Sequence, residues 1–221
     1  TFDNMSEADQ TAINTVFANI GKAIEAYERL LISRDAPFDR YVAGDEGAIT
    51  LEAKRGLKIF IGKGVCTLCH GTPYFRDDDF HNLGIPQGGL PEDTGRFQGI
   101  AQLLADPFNS AGIYSDAIRN AKRDLGFLEP RLEHQGEFKT PTLRNVALTP
   151  PYFHTGEFPT LTAVIEFNNV GGTTNAFVGR EAVPVEPLHL SEQEKKDLVA
   201  FLKTLTGEPP PAHLLIKPKL P

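Results

Sequence analysis

The chain is poor in the residues that most often announce a function. Its 221 residues include two cysteines, one methionine and no tryptophan. Two cysteines are too few for a structural zinc site, which takes four ligands, usually several of them thiolates. The formal net charge is −7 and no basic stripe appears, which argues against a nucleic-acid partner. No apolar run approaches the roughly 18 residues of a membrane-spanning helix. No secretory leader is evident, and the chain opens on Thr1 rather than an initiator methionine, so it reads as a mature or truncated product. What remains is ordinary for a globular protein: 40% hydrophobic and 23% charged residues, enough for one large domain or one domain with an arm.

Both cysteines fall in one stretch, Cys66-Thr67-Leu68-Cys69-His70. This is C-x-x-C-H, the signature of covalent c-type haem attachment. Each thiol can add to one haem vinyl group, and the adjacent histidine is then held beneath the iron. A thioredoxin-like redox pair would sit in a βαβ pattern, and none surrounds it. The motif therefore predicts one covalent haem c per chain on Cys66, Cys69 and His70. Covalent attachment implies an exported, most simply periplasmic, protein. Because both cysteines are used, the absence of a disulfide says nothing about compartment.

Periodicity predicts an all-α protein, a cytochrome c fold with an N-terminal helical arm and a long irregular insertion. Apolar residues from Ile13 to Leu31 recur at steps of three and four, predicting a core helix over 6–32 capped by Ser6. A second helix is expected over Leu51–Ile61, stopped by Gly62 and Gly64, and it runs straight into the haem motif. Residues 71–140 are expected to be irregular, with short helices at 96–105 and 113–121. The Asp77-Asp78-Asp79 run reads as a solvated loop. Pro141 is expected to start a short helix to Ala147. Thr160 caps a helix over 161–169 whose apolar face meets a polar residue at Asn168. That residue is either a fraying last turn or a polar group aimed at a buried cofactor. Ser191 and Glu194 form a capping box that opens the last helix, which Gly207 ends. The expected domains are a helical arm at 1–40, a haem domain at 41–208 and a Pro-rich, extended tail at 209–221.

Several stretches together resemble the bacterial diheme cytochrome c peroxidase family, which includes MauG-type enzymes. They are Cys66–His70, Phe80-His81-Asn82-Leu83-Gly84, Asp93-Thr94-Gly95-Arg96, and Pro141-Thr142-Leu143-Arg144-Asn145-Val146-Ala147-Leu148-Thr149 running into Pro151-Tyr152-Phe153-His154-Thr155-Gly156. The match is to the C-terminal haem domain of that family, and residues 10–31 look like the helix that closes its first domain. Family members carry two C-x-x-C-H motifs and this chain carries one. It is therefore expected to be a fragment, a cleaved chain or a shortened relative, completed by an N-terminal haem domain or a second chain. The family places a methionine or tyrosine iron ligand where this chain has Asn168. A neutral amide oxygen is a poor iron ligand, so the sixth position is expected to be water-filled, vacant or taken by another group. With no tryptophan, any aromatic relay between haems would come from elsewhere. The family also binds calcium between its domains, with backbone carbonyls at Thr149 and Pro151 contributing.

The resemblance makes His81 and His154 candidate catalytic residues beside the haem. Arg96 and Arg144 are candidates for pairing with haem propionates, or for ordinary ion pairs. His134, His189 and His213 read as loop residues. Three functions follow. The first is a peroxidase-type oxidoreductase that relays electrons for hydrogen peroxide reduction, fed by a donor cytochrome or cupredoxin. The second is MauG-like oxidation of a partner protein. The third is a monohaem electron carrier, for which the 71–140 insertion is oversized. A homodimer is compatible with any of them.

Overall fold

The structure is a computed structural model that describes residues 1–88, 92–117, 125–173, 177 and 186–217. It divides into two compact units. One comprises residues 1–32, 100–129 and 209–221, and the larger comprises 33–99 and 130–208. The described helices are α1 (Glu7–Glu28), α2 (Pro37–Val42), α3 (Leu51–Ile61), α4 (Thr67–His70), α5 (Arg96–Ala105), α6 (Leu161–Asn169) and α7 (Glu192–Lys203). The all-α expectation holds with one small addition. Strands β1 (Phe80–His81) and β2 (Phe138–Lys139) pair antiparallel, Phe80 opposite Lys139 and His81 opposite Phe138.

The larger unit is built on the crossing of α3 and α7. Both helices start at side-chain caps. The Thr50 hydroxyl accepts the Ala53 N–H at 3.2 Å, and Ser191 and Glu194 form the reciprocal box. Gly56 makes the crossing close: a Cβ there would run into the Asp197 carbonyl and the Phe201 side chain. Around this point Phe38, Phe60, Phe75 and Phe201 form a cluster of tilted and edge-on rings with centroids 5.0–6.4 Å apart. Phe201 and Leu205 are fully buried in it. Helix α6 packs onto the same core through Leu161 and Ile165, its N-terminus capped by Thr160. A buried charge is compensated at the crossing, where Arg55 grips Asp197 through Nε (2.7 Å) and Nη2 (3.0 Å).

In the smaller unit α1 begins at Ser6, whose hydroxyl accepts the Asp9 N–H. It has no buried residue: Val16 is 60% and Phe17 62% exposed. The apolar periodicity is real, but the core-helix expectation is not met among the described residues. Phe17 makes a tilted contact with Phe108, and Phe108 stacks on Tyr114.

Three local expectations are corrected. The stretch 141–147 is not a helix; only a 3₁₀ turn at Val146–Leu148 forms. The Leu143 N–H goes to the Phe75 carbonyl and the Asn145 N–H to the Leu205 carbonyl, while Asn145 takes a left-handed φ of 60°. Tertiary partners have thus taken the bonds a helix would use. Of the helix expected at 113–121, residues 113–117 are turns and the rest lies outside the described residues. The tail contains a 3₁₀ turn at Ala212–Leu214 and is not wholly extended.

Candidate haem-binding site

Helix α4 is a single turn that carries Thr67, Leu68, Cys69 and His70, with Cys66 at its N-cap. It puts both sulfurs and the imidazole on one short segment directly behind α3. The decisive contact is at His70. Its Nδ1 lies 2.6 Å from the backbone oxygen of Phe75. A carbonyl can only accept, so Nδ1 carries the proton and the lone pair is on Nε2. Burial lowers the imidazole pKa, which keeps the ring neutral. A neutral imidazole with its other nitrogen tied down is the form that binds a metal. The thiols are set for slow chemistry until they are recruited. Burial pushes Cys66 up to about 12. Burial, then Asp77 and Asp79, also push Cys69 up.

The residues fit a c-type haem by the chemistry of their donors. Two sulfurs at the required spacing, followed by an imidazole with Nε2 free, are what the attachment uses. A cavity of about 480 Å³ lies against His70, walled by Leu57, Phe60, Ile61, Phe75 and Arg144, among others. Neither cysteine lines it.

Two groups of side chains flank α4. The first surrounds loop 71–75. Arg144 donates from Nη1 to both oxygens of Asp39 (2.7 and 2.8 Å) and from Nε (3.2 Å) and Nη2 (2.9 Å) to the Pro73 carbonyl. Its guanidinium also lies over the Phe75 ring at 5.2 Å. Asp39 in turn accepts the Ala36 N–H at the start of α2.

The second group gathers around the β1–β2 pair. His81 Nε2 lies 2.7 Å from Asp77 Oδ2. Burial acts to raise the Asp77 carboxyl, but hydrogen bonds from the Asp79 N–H, His81 and Thr140 outweigh it and hold the group at about 2. Ligand atoms of Cys69, Asp77 and His81 lie within 4.8 Å of one another. His81 pairs across the ladder with Phe138, and His154 stacks on the Phe138 ring with centroids 3.5 Å apart and planes 12° apart. His154 Nε2 is 3.3 Å from the Gln87 side-chain nitrogen, and Gln87 bonds the Asp93 backbone in both directions. Burial lowers the His154 pKa against the pull of Asp93 and Glu157. Arg96 donates to Glu137 Oε2 at 3.1 Å and covers the Phe80 ring. The structure thus brings His81, His154 and Arg96 to one neighbourhood, and Arg144 to another with His70.

The remaining candidates are more peripheral. Asn168 donates from Nδ2 to the Val164 carbonyl one turn back (2.9 Å), while Asn169 Oδ1 accepts the Leu190 N–H (2.7 Å). Thr149 and Pro151 lie in an exposed turn before the Tyr152–Phe158 bridge. His134 and His213 lie in 3₁₀ turns, and His189 takes a left-handed φ of 51°. Sequence reasoning missed Phe75, Asp39 and Asp77. A backbone carbonyl carries no residue signal, and Asp39 is 105 positions from Arg144. Only Asp77 had a legible cue, its i,i+4 spacing to His81. Asn82 explains itself locally: it is buried, and its Oδ1 accepts the Gly84 N–H, closing the turn that Gly84 makes at φ 68°.

No family model matches the chain. It is 38% identical over 231 residues to cytochrome-c peroxidase IdrP1 of Denitromonas iodatirespirans, which covers all of this chain and 56% of that protein. It is 36% identical over 203 residues to methylamine utilization protein MauG of Methylorubrum extorquens, covering 92% of this chain and 47% of that protein. Among solved structures, a MauG-like protein associated with microbial copper homeostasis superposes with a TM-score of 0.57 at 27% identity, over 84% of this chain and 55% of that one. The chain spans about half the length of these curated relatives. The motifs, the helical fold around them and these similarities agree: over about half of those proteins' length, the chain is homologous to bacterial diheme cytochrome c peroxidases and to MauG.

Proposed function

We propose that the chain is the C-terminal haem-bearing half of a peroxidase-type oxidoreductase, and that it relays electrons for hydrogen peroxide reduction. Reduction of one peroxide to two waters consumes two electrons and two protons. When bound, haem c supplies a carrier of one electron at a time. Cys66 and Cys69 would hold it by thioethers, and His70 would offer Nε2 to its iron. The observation that supports this reading is the 2.6 Å contact from His70 Nδ1 to the Phe75 carbonyl, which leaves the lone pair of the other ring nitrogen free to bind a metal. A donor cytochrome or cupredoxin supplies the electrons, and an N-terminal haem domain or second chain supplies the peroxide-reactive centre. His81 and His154, gathered around Phe138, are the groups assigned to move or hold a proton there. The setting is periplasmic. Calcium, where present, would take the carbonyls of Thr149 and Pro151 together with a ligand from the other half.

Similarity to MauG favours a second reading, in which the oxidising equivalents are spent on a partner protein. Turnover separates the two: the first reading expects peroxide-dependent oxidation of a reduced cytochrome or cupredoxin by the chain joined to its N-terminal half, and not by the chain alone. A haemochrome assay is expected to give one haem per chain. Because the Asn168 amide is turned to its own helix, the ferric spectrum is expected to be high-spin. A low-spin spectrum would overturn that assignment, and a haem-free product from cells that attach haem to other proteins would overturn the whole reading.

A further inference from the structure

We propose that Arg144, held by Asp39, is a positioning residue that keeps the Phe75 carbonyl on His70 and so sets the donor strength of the proximal ligand. This rests on the haem reading above. Loop 71–75 has no regular structure of its own, yet three consecutive carbonyls in it are each caught by a neighbour from 142–144. The Pro73 oxygen takes two N–H groups of Arg144. The Tyr74 oxygen takes the Thr142 hydroxyl. The Phe75 oxygen takes the Leu143 N–H at 3.3 Å as well as His70 Nδ1. Arg144 is the strongest member, because its fork also closes on a carboxylate and its plane covers Phe75. Asp39 belongs to α2, and Phe38 beside it packs on Phe75 and Phe201. The clamp therefore ties the loop to the aromatic core.

A hydrogen bond from Nδ1 raises the basicity of Nε2, and a more basic ligand favours ferric over ferrous iron. Loosening the loop weakens that bond and raises the midpoint potential. Loss of the Arg144 charge alone acts in the opposite direction, since a nearby cation favours the ferrous form. The two contributions can therefore be told apart.

The test uses the haem-loaded chain and three variants. Arg144→Lys keeps the charge and loses the fork. Arg144→Gln loses both. Thr142→Val removes the hydroxyl's bond to the Tyr74 carbonyl and the one it accepts from the Arg144 N–H, and leaves the guanidinium in place. Haem content and far-ultraviolet circular dichroism are checked first. Voltammetry then reads the potential, and NMR reads solvent exchange of the His70 Nδ1–H. The expected result is a higher potential and at least tenfold faster exchange in Arg144→Lys, with smaller shifts of the same sign in Thr142→Val. Exchange that stays unchanged in Arg144→Lys and Thr142→Val overturns the proposal, as does a potential that falls in Arg144→Gln with exchange unchanged, because Arg144 would then act by charge alone. A parent chain that takes up no haem fails the underlying reading instead. Should Arg144→Lys not fold, Thr142→Val alone decides.

Discussion

Two amphipathic helices of this chain behave in opposite ways. Helix α3 buries Ala53, Gly56, Ile59 and Phe60. Helix α1 is longer and carries an apolar stripe from Ile13 to Tyr27, and it buries nothing. The difference does not lie in the helices' own periodicity. It lies in the partner: α3 has α7 crossing it at Gly56, and among the described residues of its own unit the stripe of α1 has no cover of comparable extent. An amphipathic helix is held in a core by a partner for its apolar face, and the stripe alone does not supply one.

That comparison can be broken or sharpened by experiment. The largest effect is expected at the aromatic centre, where Phe201→Ala costs about 3–5 kcal/mol in urea unfolding of the haem-loaded chain. A loss under 1 kcal/mol would mean that the α3–α7 crossing does not hold this unit together. Burial should also act on chemistry in the haem-free chain. A Cys66 thiol raised from 9.0 to about 12 has roughly a thousandfold less thiolate at pH 8. Its alkylation should be slow at pH 8 and accelerate steadily with pH. Folded-state protection of this thiol is complete below its unfolded pKa and is lost as pH rises toward 12. Mass-mapped alkylation that is already fast at pH 8 would show that Cys66 is not packed. At the crossing, Gly56→Ala pushes a methyl into the Asp197 carbonyl and should cost about 1–3 kcal/mol, read as a lower urea midpoint. The smallest effect belongs to α1. Val16→Ser should change the stability of this chain by less than about 0.5 kcal/mol, and a cost above 1 kcal/mol would show that its stripe is covered after all.

Much of the fold was legible because its signals are local. The bounds of α3 and α5, the Thr160 and Ser191 caps and the start of α1 at Ser6 all follow from neighbours within four residues. The failures share a cause. Residues 141–147 have a helix-starting proline, but their N–H groups find partners at Phe75 and Leu205 far away in sequence. Asn168 left two readings open, a fraying last turn or a group aimed at a cofactor, and its Nδ2 donates to a carbonyl of its own helix.

The sequence by itself determined that two thiols and an imidazole stand together. Cys66, Cys69 and His70 are bound to one another by chain spacing, and no fold could separate them. It also determined which helices exist and where they start, because caps and periodicity act within a turn or two. Only the tertiary structure decided which nitrogen of His70 is free, since a backbone carbonyl five residues away does the choosing. It alone brought Asp39 to Arg144, His81 to Asp77 and His154 to Phe138. It also decided that α3 would be core while α1 would not. A side chain's type travels with the sequence, but the partner that satisfies it is a matter of distance in space.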